Sequence, residues 1–158
     1  MTTALSKITA WFEALTPETL ASIDEVYAAQ AHFKDPFNDV VGIDRIKVIY
    51  AHMFENLTNP RFEITRVIEQ HAAEHLQQTQ PLLPPPPTHQ AHEAFVAWQF
   101  KFEWRGRMFD IPGGTRFVIN DQGLVTDHVD YWDVAELYEK LPLIGALLRP
   151  LRKRMAAV

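Results

Sequence analysis

The 158-residue chain contains no cysteine, which removes disulfide bonds, thiolate nucleophiles and cysteine-based zinc modules from consideration. No apolar run approaches the roughly 20 residues that a membrane-spanning helix requires. Met1 to Leu15 lacks the successive basic, apolar and small-residue blocks of a signal peptide, so a cytoplasmic location is the expectation. Positive charge is also short. The net charge is −5, and five of the fifteen basic residues, Lys140, Arg149, Arg152, Lys153 and Arg154, follow residue 139 with no acid among them. The first 139 residues therefore hold ten Lys and Arg against twenty Asp and Glu, a net of −10. Such an acidic body is a poor match for a phosphate backbone, and no nucleic-acid partner is expected. No internal repeat is visible, and no HxxxH or HxxxE spacing on a helix points to a metal site, so none is expected.

What remains is an ordinary globular composition, 47% hydrophobic and 22% charged, at a length that suits one domain over residues 1–158. Leu5, Ile8, Trp11, Phe12 and Leu15 recur at helical spacing. Thr16-Pro17 then supplies an N-cap and a first-turn proline. The helix it starts carries Leu20, Ile23, Val26 and Tyr27 on one face and should end near His32, before the turn-forming residues 34–39. Beyond Gly42, the residues Ile46, Ile49, Tyr50, Met53, Phe54 and Leu57 fit the i, i+3, i+4, i+7 pattern of a third helix.

After Asn59-Pro60 the period changes. Phe62 and Ile64 alternate with polar residues, and Val96, Trp98, Phe100, Phe102 and Trp104 form an aromatic wall opposite Gln99, Lys101, Glu103 and Arg105. Gly106 reads as a turn, Pro112-Gly113-Gly114 as a break, and Asn120 to Gly123 as a tight hairpin, giving at least four strands. Residues 77–93 hold five prolines and read as a solvated loop, with a docking motif for a proline-binding module as the less favoured alternative. Residues 134–156 read as a C-terminal helical extension whose basic end complements the helix dipole. A capping or dimer helix is favoured there over a basic amphipathic membrane anchor.

The most informative stretch is His128-Val129-Asp130-Tyr131-Trp132-Asp133. As a strand it places Thr126, His128, Asp130 and Trp132 on one face, a polar stripe within an apolar shell. Buried charge is costly unless it has a partner or a use. His128 and Asp130, two apart, are close enough to hydrogen-bond or to share a substrate proton, whereas Asp35 before Pro36 is also a common turn arrangement.

Three helices followed by a curved antiparallel sheet resemble the nuclear-transport-factor-two-like superfamily, the SnoaL-like or cone fold. Trp11-Phe12-Glu13-Ala14-Leu15 stands twenty-four residues before Asp35-Pro36, an interval similar to that between the oxyanion-hole tyrosine and the catalytic aspartate of ketosteroid isomerases. Gly42, Ile46, Tyr50 and Ala51 resemble that family's third helix, and Phe102 to Arg107 its Phe-Glu-aromatic-x-Gly-Arg strand turn. The resemblance spans roughly residues 8–133. It implies an α+β fold with three N-terminal helices packed on a strongly curved, mainly antiparallel sheet, and it implies Asp35 as general base.

Two departures matter. Trp11 stands at the tyrosine position and Thr115 at that of the second aspartate, so both strong oxyanion donors of the steroid isomerases are replaced. Steroid isomerisation is not expected. Resemblance to SnoaL-like cyclases, which use a late-strand aspartate with a nearby histidine, implies acid/base roles for Asp130 and His128. The expected site therefore has Asp35, Asp130 and His128 as catalytic candidates. Its pocket wall is Trp11, Tyr50, Met53, Trp98, Phe100, Phe102, Thr115 and Trp132. The expected activity is a cofactor-free isomerase or cyclase on an apolar, ring-containing carbonyl compound. The alternative is a non-catalytic module that binds an apolar or aromatic ligand, and either form is expected to be a homodimer.

Overall fold

The computed structural model describes residues 3–70, 92–141, 150, 153 and 154. Helix α1, Ala4–Glu13, starts where the Thr3 hydroxyl accepts the Ser6 N–H, and it buries Leu5, Ile8 and Phe12. The second helical segment differs from the expectation. It is a 3₁₀ stretch, Thr19–Glu25, and the chain then enters a strand, β1, Tyr27–Lys34. Helix α2, Ile43–Asn56, follows a short strand β2, Asp39–Val41, and buries Ile46 and Tyr50.

Four longer strands complete the sheet: β3, Thr58–Gln70; β4, His92–Trp104; β5, Arg107–Ile119; and β6, Val125–Trp132. The spatial order is β2-β1-β6-β5-β4-β3. Every neighbouring pair is antiparallel except β1 with β6. This single parallel pairing explains why β1 reads as a helix. Tyr27 faces Val125 but His32 faces Asp127, so five steps along β1 match two along β6. The extra residues bulge, and Val26, Tyr27 and Ala31 are buried at a spacing that mimics a helical turn.

The aromatic alternation of β4 is realised as expected. Ala94, Val96, Trp98 and Phe102 are buried on the inner face, opposite Phe109, Ile111, Thr115, Phe117 and Ile119 of β5. Each such large apolar side chain contributes about 1.5–3 kcal/mol by leaving water. The β4–β5 turn is a two-residue hairpin in which Arg105 and Gly106 both have positive φ, 50° and 73°. That is the primed turn whose twist matches the strands, and glycine suits its second position.

Pro112-Gly113-Gly114 does not break the chain. The β4–β5 ladder runs unbroken from His92↔Ile119 to Trp104↔Arg107. The β5–β6 ladder reaches only as far as Gly113↔Trp132, so Pro112 stands where β6 no longer flanks the strand and a missing N–H is tolerated. Gly113 is required by packing, since a Cβ there would stand 2.2 Å from Cη2 of the Trp98 ring.

Helix α3, Val134–Glu139, is capped by the Asp133 carboxylate, which accepts the Ala135 N–H. The proline-rich segment expected over 77–93 lies outside the described residues except for His92 and Glu93 in β4, as does most of the expected extension beyond Leu141. Among the described residues no helix is long and apolar enough to cross a membrane.

Candidate functional site

The inner face of the sheet and α2 do not close completely on one another. Between them lies a cavity of about 340 Å³, whose wall includes Tyr50 and Met53 of α2, Trp98, Phe100 and Phe102 of β4, and Asp130 and Trp132 of β6. Leu137, Tyr138 and Leu141 of the C-terminal segment line one end, and Asp35, Phe37 and Asn38 of the β1–β2 turn line another part of the wall. The volume is within the range of small-molecule sites, near its lower end.

Asp130 is a polar group of this wall held by buried side chains. Its Oδ1 accepts the Thr115 hydroxyl at 2.5 Å and is 2.8 Å from Nε2 of His128. Thr115 in turn accepts Nε1–H of Trp98 at 2.8 Å. On the other side of the imidazole, Nδ1 of His128 is 2.7 Å from the Tyr27 hydroxyl, which is 3.1 Å from that of Tyr50. One chain of hydrogen bonds thus links Tyr50, Tyr27, His128, Asp130, Thr115 and Trp98.

With Asp130 ionised and His128 neutral, the direction of that chain follows from the donor inventory. Indole N–H only donates and an ionised carboxylate only accepts. With Asp130 ionised, Thr115 donates to it and Nε2 of a neutral His128 carries the proton. Nδ1 must then accept from Tyr27, whose oxygen accepts from Tyr50. All five donors point along the chain toward Oδ1 of Asp130, and none of the bonds described uses Oδ2. Burial pushes the hydroxyls of both Tyr27 and Tyr50 well above the ordinary phenol range. For Tyr50 the neighbouring Tyr27 and then the Asp130 charge add to that effect. Both therefore remain neutral phenols.

Asp35 has a different setting. Its Oδ1 accepts the backbone N–H groups of Phe37 and Asn38 at 2.7 and 2.6 Å, and the Asn38 side-chain amide reaches both carboxylate oxygens at 3.0 Å. This is the arrangement by which an aspartate closes a turn on itself. The last parallel pair of β1 and β6 is Lys34↔Val129, so Asp35 and Asp130 are the next residues on two adjacent strands, and both line the cavity.

Of the residues singled out in the sequence, Asp35, Asp130, Tyr50, Met53, Trp98, Phe100, Phe102 and Trp132 meet on the cavity wall. Three do not. His128 is fully buried, packed among Phe12, Phe33, Tyr27 and Phe117, and is joined to the cavity wall through Asp130 on one side and through Tyr27 and Tyr50 on the other. Thr115 is buried behind Asp130. Trp11 donates its indole N–H to Ser22 at 3.3 Å and packs edge-on against Tyr27 and Tyr50. Tyr27, Phe33 and Phe37 were not singled out as site residues. Tyr27 had been assigned to a helix, and the alternation of Ala31 and Phe33 was the signal that could have placed Phe33 inward. Among the described residues no group of three or more His, Asp and Glu is arranged to hold a metal ion.

No curated protein matches the sequence. Similar solved structures include TsrD from Streptomyces laurentii, at 15% identity over 88% of this chain and 95% of that one, with a TM-score of 0.64. A LEH-like epoxide hydrolase from M. tuberculosis is 17% identical over 93% of this chain and 96% of that one, TM-score 0.61. A protein of ketosteroid isomerase-like fold from Catenulispora acidiphila, solved in complex with trimethylamine, is 17% identical over 80% and 84%, TM-score 0.57. At these identities the likeness is one of fold, the nuclear-transport-factor-two-like α+β architecture. Residues 8–128 match the SnoaL-like domain, and the chain belongs to that family.

Proposed function

We propose that this protein is a small-molecule enzyme without a cofactor, in which Asp130 takes a proton from an apolar, ring-containing carbonyl compound in an isomerisation or cyclisation. The observation that supports this reading is the setting of Asp130. A carboxylate stands on the wall of an aromatic cavity, with one oxygen anchored by Thr115 and His128 and the other left without a described partner. A base must be held within hydrogen-bond reach of its proton, and anchoring through a single oxygen orients the other. His128 is a positioning residue in this scheme, since it does not line the cavity and holds Asp130 through Nε2. Asp35 closes its turn and adds negative charge to the same wall. The likeness to an epoxide hydrolase fold supports a cavity of this kind being able to house acid/base chemistry, without naming the substrate.

The test has two steps. Native mass spectrometry of protein purified from its own cells should show a co-purifying ring-containing carbonyl compound. In D₂O the protein should then incorporate deuterium into that compound next to the carbonyl, and Asp130→Asn should lose the exchange while still binding. Exchange that persists in Asp130→Asn removes Asp130 from the role of base.

A second reading, a non-catalytic binding module, has one specific observation in its favour. The hydroxyl and indole donors of the Asp130 network are all used within it, and Trp11 is engaged by Ser22, which leaves these groups unavailable to a developing oxyanion. A bound compound with no exchange in the wild-type protein would favour it. In either reading we propose a homodimer through the outer sheet face, where Ile68, Phe95 and Tyr131 are exposed on β3, β4 and β6. Phe95→Glu should then shift the molecular mass in light scattering from dimer to monomer.

A further inference from the structure

We propose that the ligand of this cavity carries a cationic nitrogen, a protonated or fully alkylated amine attached to its apolar ring. The inference rests on the reading of the cavity as a ligand site and adds the chemical class of the ligand.

The charge on the wall carries the argument. Asp35, which follows β1, and Asp130 of β6 come directly after the last paired residues Lys34 and Val129, and among the described residues of the wall there is no Lys or Arg. Asp35 is held by backbone and asparagine N–H groups, and Asp130 by a hydroxyl and an imidazole. Each carboxylate is thus satisfied for hydrogen bonds by groups that bring no lysine or arginine charge. His52 is the one other titratable base on the described wall. The cavity therefore concentrates negative charge in a partly desolvated space, where an unpaired charge is expensive.

Several acids outside the cavity meet cationic groups. Asp39 meets Lys34 and His32, Glu63 meets Lys101, and Asp127 meets Arg116 and His32. Among the described residues, Asp35 and Asp130 form no ion pair with a lysine or arginine; the one basic group against Asp130 is the His128 imidazole.

The second element is the wall around the two charges. Phe37 of the Asp35 turn stands edge-on to Trp132 with ring centroids 5.5 Å apart, and Tyr50, Trp98, Phe100 and Tyr138 also face the space. Aromatic faces attract a cation directly, tryptophan most of all. A carbonyl compound alone would find the donors of the Asp130 network already engaged. A positive nitrogen on the same molecule satisfies both carboxylates and rings.

The test uses matched probes. Benzyltrimethylammonium and neopentylbenzene differ by one atom, nitrogen against carbon, and N,N-dimethylbenzylamine adds an N–H donor. Each is titrated into ¹⁵N-labelled protein, and binding is read from the indole N–H signals of Trp98 and Trp132. The cations should bind about tenfold more tightly than the neutral isostere, as expected when ring faces and a nearby carboxylate act on a partly desolvated charge. Asp35→Asn, which keeps the amide oxygen that closes the turn, should reduce that preference several-fold while leaving the neutral probe unchanged. Equal or tighter binding of neopentylbenzene overturns the cation inference and leaves the pocket reading standing. If no probe perturbs either indole, both fall.

Discussion

Thr115→Val is the substitution that most directly tests whether the Asp130 network holds the site together. Valine has nearly the shape of threonine but neither donates nor accepts. At this position, 2% exposed, it removes two bonds at once, the acceptor for the Trp98 N–H at 2.8 Å and the donor to Asp130 at 2.5 Å. A buried N–H left without a partner costs about 1–3 kcal/mol, and a hydrogen bond to a charged group contributes about 1.5–3 kcal/mol. The two share one hydroxyl and are not additive, while the added methyl returns less than about 1 kcal/mol. A net loss of about 2–4 kcal/mol follows, or roughly 4–16 °C in Tm for a chain of this size. Urea denaturation followed by tryptophan fluorescence measures the loss, and faster exchange of the Trp98 indole proton with solvent locates it. Thr115→Ser keeps the hydroxyl and gives up one methyl group, so it should cost only about 1 kcal/mol. If the valine variant is as stable as the serine variant, the hydroxyl is not the bridge described above.

Gly113→Ala places a Cβ 2.2 Å from a Trp98 ring carbon, and that ring is held by Thr115 and packed edge-on to Phe62. Overpacking of this kind costs about 1–3 kcal/mol, and near-ultraviolet circular dichroism should record the displaced indole; an unchanged spectrum and Tm would show that the ring moves freely. On the outer side of the sheet, hydrogen bonds from His32 to Asp39 and then to Asp127 hold its imidazole above the ordinary histidine range. A raised folded-state value means that the contribution is complete below the unfolded value of about 6.5 and fades as pH rises through the folded one. The Tm difference between wild type and His32→Gln should therefore be positive near pH 6 and shrink by about pH 9. It should correspond to less than about 1 kcal/mol because the pair is partly exposed, and a difference that does not vary with pH would refute the assignment.

Some of this architecture is legible in the residues. The period of Ile46, Tyr50 and Met53 marks α2, and the alternation from Val96 to Trp104 marks β4, because each has one buried face and the matching period. Tyr27 to Lys34 does not read as a strand because a strand is recognised by its period, and the bulge against β6 erases that period at the residues concerned. Pro112-Gly113-Gly114 reads as a break only when the neighbours are unknown. A proline is acceptable where β6 has ended, and a glycine is required where Trp98 lies on the backbone. At the site, the pairing of His128 with Asp130 was visible as an i, i+2 stripe. The depth of His128 was not, since burial depends on Phe12, Phe33 and Phe117 arriving from three other elements.

The two departures from the steroid-isomerase pattern, Trp11 and Thr115, gain a common explanation once their partners are known. A tyrosine and a protonated aspartic acid at those positions would aim hydrogens at a substrate oxygen. Here Trp11 gives its hydrogen to Ser22, and Thr115 gives its hydrogen to the carboxylate of Asp130. A hydrogen engaged with a charged acceptor at 2.5 Å is not free to serve a second one, so the position of Thr115 has changed from stabilising negative charge on a substrate to orienting negative charge on the protein. The consequence reaches through the chain of hydroxyls. With Asp130 ionised and His128 neutral, the bonds from Tyr50 and from Trp98 both end at the Asp130 carboxylate, and two carboxylates on an aromatic wall favour a ligand that brings its own positive charge.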